Sequence, residues 1–198
     1  MTKLTFSPQE KHDLLVAWVL ISIAFGIVFR NDAGLSNFGI LKLVILSGLT
    51  VGVGFLVHEI AHKYVAIKYG KYAEFHASIP MLVLAVFMSF FGFVFAAPGA
   101  VVISGYVTKR ENGHIAVAGP LSNIVLAVLA LPLFIFMKEG FAGAVISYFY
   151  AINVWLALFN MIPLFMLDGA KIFAWSKKWY FVTLAICIGL FVVQLFPW

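Results

Sequence analysis

The feature that most constrains the fold is a series of long apolar runs separated by short polar connections. A helix that crosses a bilayer needs roughly 20 mostly apolar residues at a rise of about 1.5 Å each. Runs close to this length follow one another at Leu14–Phe29, Ile40–Ile67, Met81–Ala97, Ile115–Met137, Ala142–Leu167 and Trp179–Phe196. Because 64% of the residues are hydrophobic and 11% are charged, a soluble core of this size could not bury the apolar surface. The sequence therefore predicts an all-α integral membrane protein that crosses the bilayer several times.

The basic residues are scattered rather than clustered. The net charge is +5, but a surface that binds nucleic acid needs grouped Lys and Arg. Single basic residues between apolar runs are instead typical of the positive charge that flanks membrane helices. We therefore expect a lipid bilayer around the protein and no nucleic-acid partner. The only cysteine, Cys187, can form no internal disulfide and no Cys-based metal site.

Six apolar runs do not require six crossings. With five crossings and the N-terminus inside, 10 of the 13 Lys and Arg lie on the inner side, against 6 of 13 with six crossings. The third run is short and is followed by Pro98 and Gly99, which break helices. We expect five to six transmembrane helices with a short membrane-embedded re-entrant or β-hairpin element. Whether 81–97 spans the bilayer or is re-entrant stays open at this stage.

The second run contains the pattern His58-Glu59-Ile60-Ala61-His62. On a helix, two histidines four residues apart project from one face and can bind one cation. A glutamate beside the first of them is placed to act as the general base for a water at the metal. The alternative is a structural polar cluster. Ionisable groups within membrane segments are expensive and usually functional, so the pattern favours a Zn²⁺ site.

A catalytic zinc usually has three protein ligands, so one further donor is needed. Asp168 is the best candidate, because it follows the fifth apolar run and precedes Gly169. Pro163 removes a helical hydrogen bond, and Asn160 lies near the backbone that is opened in this way. A broken helix end of this kind could turn a carboxylate inward. The alternative is a helix-terminating Asp at the membrane surface.

Taken together, these motifs resemble those of the site-2 protease family of intramembrane zinc metalloproteases. The matching segments occur in the family's order and are His58-Glu59-Ile60-Ala61-His62 with Lys63-Tyr64-Val65-Ala66, Gly119-Pro120-Leu121-Ser122-Asn123, and Asn160-x-x-Pro163-x-x-x-Leu167-Asp168-Gly169. We expect a single membrane-embedded metalloprotease domain over 1–198, with its core at 40–169. The first and last helices match only as generic membrane helices and are expected to be accessory.

The resemblance implies that His58, His62 and Asp168 bind one Zn²⁺ and that Glu59 activates the water. It also implies a metalloendopeptidase that cleaves transmembrane helices of other membrane proteins near the cytoplasmic side, as in regulated intramembrane proteolysis. The expected location is the cell membrane, with the active site towards the cytoplasm. The chain has no room for the regulatory domains that some relatives carry, so regulation would be intrinsic or come from a partner.

A helical substrate shields its own carbonyls and must unwind before it is cut. The segment Ala97–Gly105 is rich in β-forming residues and follows a helix break. We expect its central residues to act as an edge strand that pairs with the unwound substrate, and these are Ala100, Val101, Val102 and Ile103. The alternative is a packed loop beside the active site. Asn123 and Asn160 are further candidates for substrate binding. The alternatives are an interhelical hydrogen bond for Asn123 and a partner of the helix break for Asn160.

Three other functions fit these residues less well. A metal transporter would leave Glu59 without an evident task, and an inactive scaffold would not need all four catalytic residues. A prenyl-protein-type protease would use the same histidine motif with a distal Glu as third ligand. After Glu111 the sequence offers only Glu139, which lies in a loop, so Asp168 favours the site-2 type.

Overall fold

The computed structural model describes residues 4–94, 98–164 and 166–196, which form a helical bundle with one small sheet. In this part of the chain five helices are long and apolar enough to cross a membrane. They are Pro8–Phe29, Ile40–Lys68, Lys109–Phe136, Gly140–Asn160 and Lys177–Gln194. The prediction of an all-α integral membrane protein is confirmed.

The elements follow the apolar runs, with breaks where glycine and proline interrupt them. In chain order they are α1 (Pro8–Phe29), α2 (Ile40–Ser47), α3 (Val53–Lys68), β1 (Tyr72–Ala77), α4 (Ile79–Ser89), β2 (Gly99–Ser104), α5 (Lys109–Phe136), α6 (Gly140–Asn160), α7 (Asp168–Trp175) and α8 (Lys177–Gln194). A π-helical turn, Gly48–Gly52, joins α2 to α3 so that the two form one span.

The third apolar run does not form a membrane-length helix. Its helix, α4, has 11 residues and is therefore about 16 Å long, roughly half of the hydrocarbon thickness of a bilayer. The last residues of the predicted run, 95–97, lie outside the described residues. The helix lengths favour the five-crossing topology over the six-crossing one.

The predicted strand after the break is present as β2, although its expected first residue, Ala97, lies outside the described residues. It pairs with β1 in antiparallel register from Tyr72 opposite Ser104 to Ala77 opposite Gly99. The two strands are joined by the segment that contains α4 rather than by a tight hairpin turn. Alternate side chains of the sheet pack inward against α3 and α5, so the sheet lies beside the helix that carries the two histidines.

Glycines allow α1 to pack closely against the second span. A Cβ atom on Gly52 would lie 2.6 Å from the Trp18 side chain, so no larger residue fits there without movement. The Trp18 Nε1–H donates a hydrogen bond to the Gly48 carbonyl over 3.0 Å. Small residues at helix contacts are a common way to pack membrane helices. These contacts hold α1 against the span that carries the histidine motif.

The fifth apolar run is broken as its proline predicts, but the break is earlier than Leu167. Helix α6 ends at Asn160, a turn containing Pro163 follows, and Asp168 is the first residue of α7. A Cβ atom on Gly169 would lie 2.3 Å from the Met161 carbonyl oxygen, so glycine lets α7 begin directly against the end of α6. The approach turns Asp168 into the bundle.

We expect cysteine labelling to show one crossing between Ser104 and Lys138 and none between Ser78 and Ser104. In a Cys187→Ala background, Ser78→Cys and Ser104→Cys should react with a membrane-impermeant thiol reagent from one side of the membrane, because α4 is too short to cross. Lys138→Cys should react from the other side, because α5 lies between. Labelling of Ser78→Cys and Ser104→Cys from opposite sides would show that the third run crosses.

Candidate metal centre

Three potential metal ligands from two separate helices meet in the interior of the bundle. His58 and His62 lie one turn apart on α3, and Asp168 begins α7. The Asp168 Oδ2 atom is 3.2 Å from His58 Nε2 and 3.0 Å from His62 Nε2. One ligand atom from each of the three residues lies within 4.8 Å of the others, and all three side chains are buried. The structure thus brings together the three residues that the sequence analysis predicted as ligands.

The hydrogen bonds of His58 fix which of its ring nitrogens carries the proton. Its Nδ1 is 2.7 Å from Asn123 Oδ1, and the Asn123 Nδ2 is 3.0 Å from the Gly54 carbonyl oxygen. A carbonyl can only accept, so the Asn123 amide must turn its nitrogen to Gly54 and its oxygen to His58. The neutral His58 imidazole therefore carries its proton on Nδ1 and keeps a lone pair on Nε2.

The second histidine is oriented in the same way by the backbone. His62 Nδ1 lies 2.8 Å from the carbonyl oxygen of Ile115 in α5, and this oxygen can only accept. The neutral His62 ring therefore also presents an unprotonated Nε2. Such hydrogen bonds to the outer ring nitrogen fix the tautomer and the orientation of metal-binding histidines.

These atoms suit a zinc ion. Two imidazole lone pairs and a carboxylate oxygen face one another at hydrogen-bond distance with no proton to share, so the cluster favours a cation between them. Zinc bonds of about 2.0–2.1 Å in a tetrahedron place ligand atoms roughly 3.3 Å apart. The distances of 3.2 Å and 3.0 Å from Asp168 to the two histidines are close to this spacing. Two nitrogens and one oxygen are also the donor types of a catalytic zinc site with one open position.

A basic side chain lies beside the Asp168 carboxylate. Lys171, one turn further along α7, places its Nζ 3.4 Å from the other carboxylate oxygen, Oδ1. Oδ2 is thereby left to face the two histidines.

The Gly119-Pro120 motif on α5 provides the space for the centre. A Cβ atom on Gly119 would lie 2.5 Å from the Nε2 atoms of both His58 and His62. Glycine therefore lets the α5 backbone lie directly over the two ligand nitrogens. Asn123 follows one turn later and reaches His58 from the same helix. The motif thus combines a close backbone approach with a hydrogen bond that orients a ligand.

Asn153 on α6 is a contributor that the sequence analysis missed. Its Oδ1 accepts from Asn123 Nδ2 over 2.9 Å, and its own Nδ2 donates to the Phe149 carbonyl over 2.8 Å. Asn123 and Asn153 are both fully buried. Together they form a hydrogen-bonded chain from α6 through α5 to the imidazole of His58. The available signal was an amide within an apolar membrane helix, but no motif distinguishes Asn153 from a residue with a purely structural role.

The two candidate substrate-binding asparagines lie in different settings. Asn123 faces the metal cluster, and both its oxygen and its nitrogen are engaged in the interhelical hydrogen bonds described above. Asn160 is half-buried at the end of α6 and donates to the Leu156 carbonyl of its own helix over 2.9 Å. Substrate binding by either residue stays a prediction.

Glu59, which the sequence analysis predicts as the general base, lies beside the cluster. It follows His58 directly on α3 and is 9% exposed. Among the described residues, none donates a hydrogen bond to its carboxylate. A carboxylate beside the ligands with no competing donor is chemically suited to accept a proton.

No protein-family model and no solved structure matches the chain. It is 40% identical over 200 residues to "Putative zinc metalloprotease MJ0611" of Methanocaldococcus jannaschii. The alignment covers 99% of this chain and 100% of that protein. The chain is 26% identical to "Zinc metalloprotease MJ0392" of the same organism, over 83% of this chain and 41% of that protein. It is 30% identical to "Putative zinc metalloprotease YwhC" of Bacillus subtilis, over 63% of this chain and 65% of that protein.

The chain belongs to this family of zinc metalloproteases. The family resemblance that the motifs indicated is therefore confirmed, and with it a hydrolase that acts on protein and uses zinc. The relatives are named as proteases, which favours proteolysis over metal transport. The cluster of His58, His62 and Asp168 offers the zinc a site of suitable chemistry.

We expect Gly119→Ala to weaken zinc binding by about 10–100-fold. The new methyl group would displace both ligand imidazoles. Disturbing the groups that orient metal ligands typically lowers metal affinity by this factor. The measurement is zinc content and affinity of the purified protein by competition with a chelator. Gly189→Ala on α8 is the matched control, since a Cβ there meets nothing within 4 Å. Equal zinc affinity in both variants would contradict the close approach of α5 to the ligands.

Proposed function

We propose that the protein is an intramembrane zinc metalloendopeptidase of the site-2 protease type. In this proposal it cuts transmembrane segments of membrane proteins near the cytoplasmic side. The observation that carries the proposal is the position of the cluster: its histidines and Glu59 lie within a membrane-length helix, and the third ligand is buried against the same bundle. A protease with its catalytic groups among membrane helices must receive its substrate there.

Each residue of the cluster has a defined part in the proposed reaction. His58 and His62 would hold zinc through Nε2, and Asp168 would hold it through Oδ2. When bound, zinc supplies Lewis-acid chemistry that polarises a peptide carbonyl and acidifies a water. Glu59 takes a proton from the attacking water, whose oxygen bonds to the carbonyl carbon. Glu59 then passes the proton to the amine as the C–N bond breaks.

The positions of the basic residues support a cytoplasmic orientation of the site. Lys63 and Lys68 follow the histidines on the last two turns of α3. If they mark the membrane interface, His58 lies roughly 8–15 Å below the surface at helical rise. Five crossings place both lysines on the side that carries most of the positive charge. That side is the cytoplasm in membrane proteins.

We also propose that 1–198 forms one domain.

Strand β2 offers a free edge to an unwound substrate. The Ser78 N–H donates to the Pro98 carbonyl over 2.9 Å, which identifies Ala77 and Gly99 as a pair without mutual hydrogen bonds. Pairs alternate along antiparallel strands, so Val101 and Ile103 also direct their backbone N–H and C=O groups away from β1. No described residue pairs with these groups.

The side chains of β2 point alternately towards the core and towards the surface. Val101 and Ile103 pack inward against the core, whereas Ala100 and Val102 are exposed. A substrate strand added at this edge would bond to the backbone of Val101 and Ile103 and leave Ala100 and Val102 to contact neighbouring substrate side chains. This is recognition by β-augmentation, in which main-chain hydrogen bonds supply the affinity. The proposed substrate-binding residues 100–103 would thus divide into backbone and side-chain contacts.

We expect Glu59→Gln to reduce cleavage of a reconstituted single-span substrate by about 10²–10⁴-fold, because the amide cannot take the proton from the water. Zinc content should stay at one ion per chain, because Glu59 is not among the three converging ligands. Glu139→Gln is the matched control, since Glu139 is exposed at the start of α6 and its side chain makes no capping hydrogen bond. Equal cleavage by Glu59→Gln and the wild type would overturn the proposed function.

For the substrate edge, we expect Val101→Pro to raise KM by about threefold to tenfold, the effect of one lost hydrogen bond. Proline is tolerated where a strand's N–H points away from its ladder, so the β1–β2 pairing should persist. Val101→Ala removes most of the side chain but keeps the N–H, and should leave KM closer to that of the wild type. The same KM for both variants would favour the packed-loop alternative over the edge strand.

A further inference from the structure

The first turns of α1 lie along the outer edge of β1. Glu10 Oε1 accepts a hydrogen bond from the Phe75 N–H over 3.0 Å, and Asp13 Oδ2 accepts from the Ala77 N–H over 3.0 Å. Glu10 and Asp13 are three residues apart and therefore on one face of the helix. Two carboxylates of α1 thus bind successive outward amides of the strand.

These carboxylates occupy the edge of the sheet that β2 does not cover. Ala77 belongs to a pair without mutual hydrogen bonds, and Phe75, opposite Val101, belongs to the same class. Their N–H groups therefore point away from β2 and towards α1. In the part of the chain that the structure describes, one edge of the sheet is held by α1, and the other edge is open.

A buried ion pair connects the same carboxylate to the metal-binding helix. Lys63, the residue after His62, places its Nζ against Glu10 Oε2. Glu10 is 1% exposed and Lys63 is 3% exposed, so both charges are removed from solvent. The Lys63 ammonium also lies 4.4 Å from the centre of the Phe6 ring. Glu10 therefore bonds at once to α3, next to a zinc ligand, and to β1.

The contacts form a short path from the metal centre to the open edge. The path runs from His62 to its neighbour Lys63, through Glu10 to the backbone of Phe75, and across the strand pair to Val101. Charge-assisted hydrogen bonds are strong and directional, and leaving one partner of a buried ion pair alone is costly, so these contacts fix the position of the groups they join. None of these contacts involves a zinc ligand side chain. The path is thus suited to setting where the sheet lies relative to the ion.

We infer that Glu10 and Asp13, together with Lys63, are positioning residues of the protease: they set the register of the substrate edge relative to the metal centre. The inference rests on the proposed function and adds a specificity role for α1, for which the sequence predicts only an accessory one. It makes the choice of the peptide bond depend on two carboxylates that touch neither zinc nor substrate. Glu10 and Asp13 hold β1, and β1 holds the strand to which the substrate adds.

The test compares Asp13→Ala with Asp13→Asn on a reconstituted single-span substrate. The alanine removes the acceptor of the Ala77 amide, whereas asparagine keeps an acceptor oxygen. For Asp13→Ala we expect unchanged zinc content, a KM raised by up to about tenfold, and a second cut site visible by mass spectrometry. The lost bond lies within the protein, so it acts on KM only through the cost of re-ordering the edge, which the free energy of one charge-assisted hydrogen bond bounds. Asp13→Asn should restore the single cut site of the wild type. Lys11→Gln is the control, since Lys11 is exposed on the same turn of α1.

A second variant addresses the ion pair without leaving one charge buried alone. Glu10→Gln combined with Lys63→Met removes both charges and keeps an acceptor for the Phe75 amide. We expect this double variant to keep its zinc and the wild-type cut site but to show a higher KM. Glu10→Ala combined with Lys63→Met, which also removes the acceptor, should add the second cut site.

The outcomes separate this inference from the proposed function. One outcome overturns the positioning role and leaves the protease assignment standing. In it the wild type cleaves and Glu59→Gln does not, while Asp13→Ala and the combined Glu10→Ala and Lys63→Met variant both show the wild-type KM and cut site. Loss of zinc in these variants would assign the carboxylates a general structural role and overturn the inference as well. If the zinc-loaded wild type cleaves no membrane substrate, the proposed function fails and the positioning role fails with it.

Discussion

The structure of the site depends on one constraint, which is that a buried imidazole N–H must find an oxygen inside the protein. Water is scarce among membrane helices, and an unsatisfied polar group there is costly. His58 meets this requirement with the Asn123 oxygen and His62 with the Ile115 carbonyl. Because both partners can only accept at these atoms, both rings turn unprotonated Nε2 atoms towards Asp168. The hydrogen bonds that satisfy the bundle are therefore the ones that prepare it for zinc.

Close helix approach is the second requirement, and glycine provides it at two points. Gly119 brings the α5 backbone over the ligand nitrogens, and Gly169 brings the start of α7 against the end of α6. Without the first, Ile115 and Asn123 would lie farther from the histidines that they orient. Without the second, Asp168 would not reach the cluster. Each ligand or its support thus depends on a close approach that a larger residue would block.

The sequence predicted the parts of the molecule that depend on local pattern. The membrane helices follow from apolar length, the third ligand from a proline break before Asp168, and the strand β2 from its composition. Asn153 and the pair of Glu10 and Lys63 were not predicted. Each of them acts through a partner at least 30 residues away in sequence. Such partners depend on how the helices pack, and a single polar residue in an apolar run does not reveal which neighbour it meets.

The sheet explains why this poorly charged chain keeps acidic residues in its first helix. Open strand edges do not occur against lipid, because their amides and carbonyls would have no partner. Glu10 and Asp13 satisfy the outward amides of β1 with side-chain oxygens. At β2, the outward groups of Val101 and Ile103 have no such partner among the described residues, so this edge requires a water-filled space or another strand. The proposed function would meet this requirement, because an intramembrane protease needs water at its metal centre and an unwound substrate could supply the missing strand.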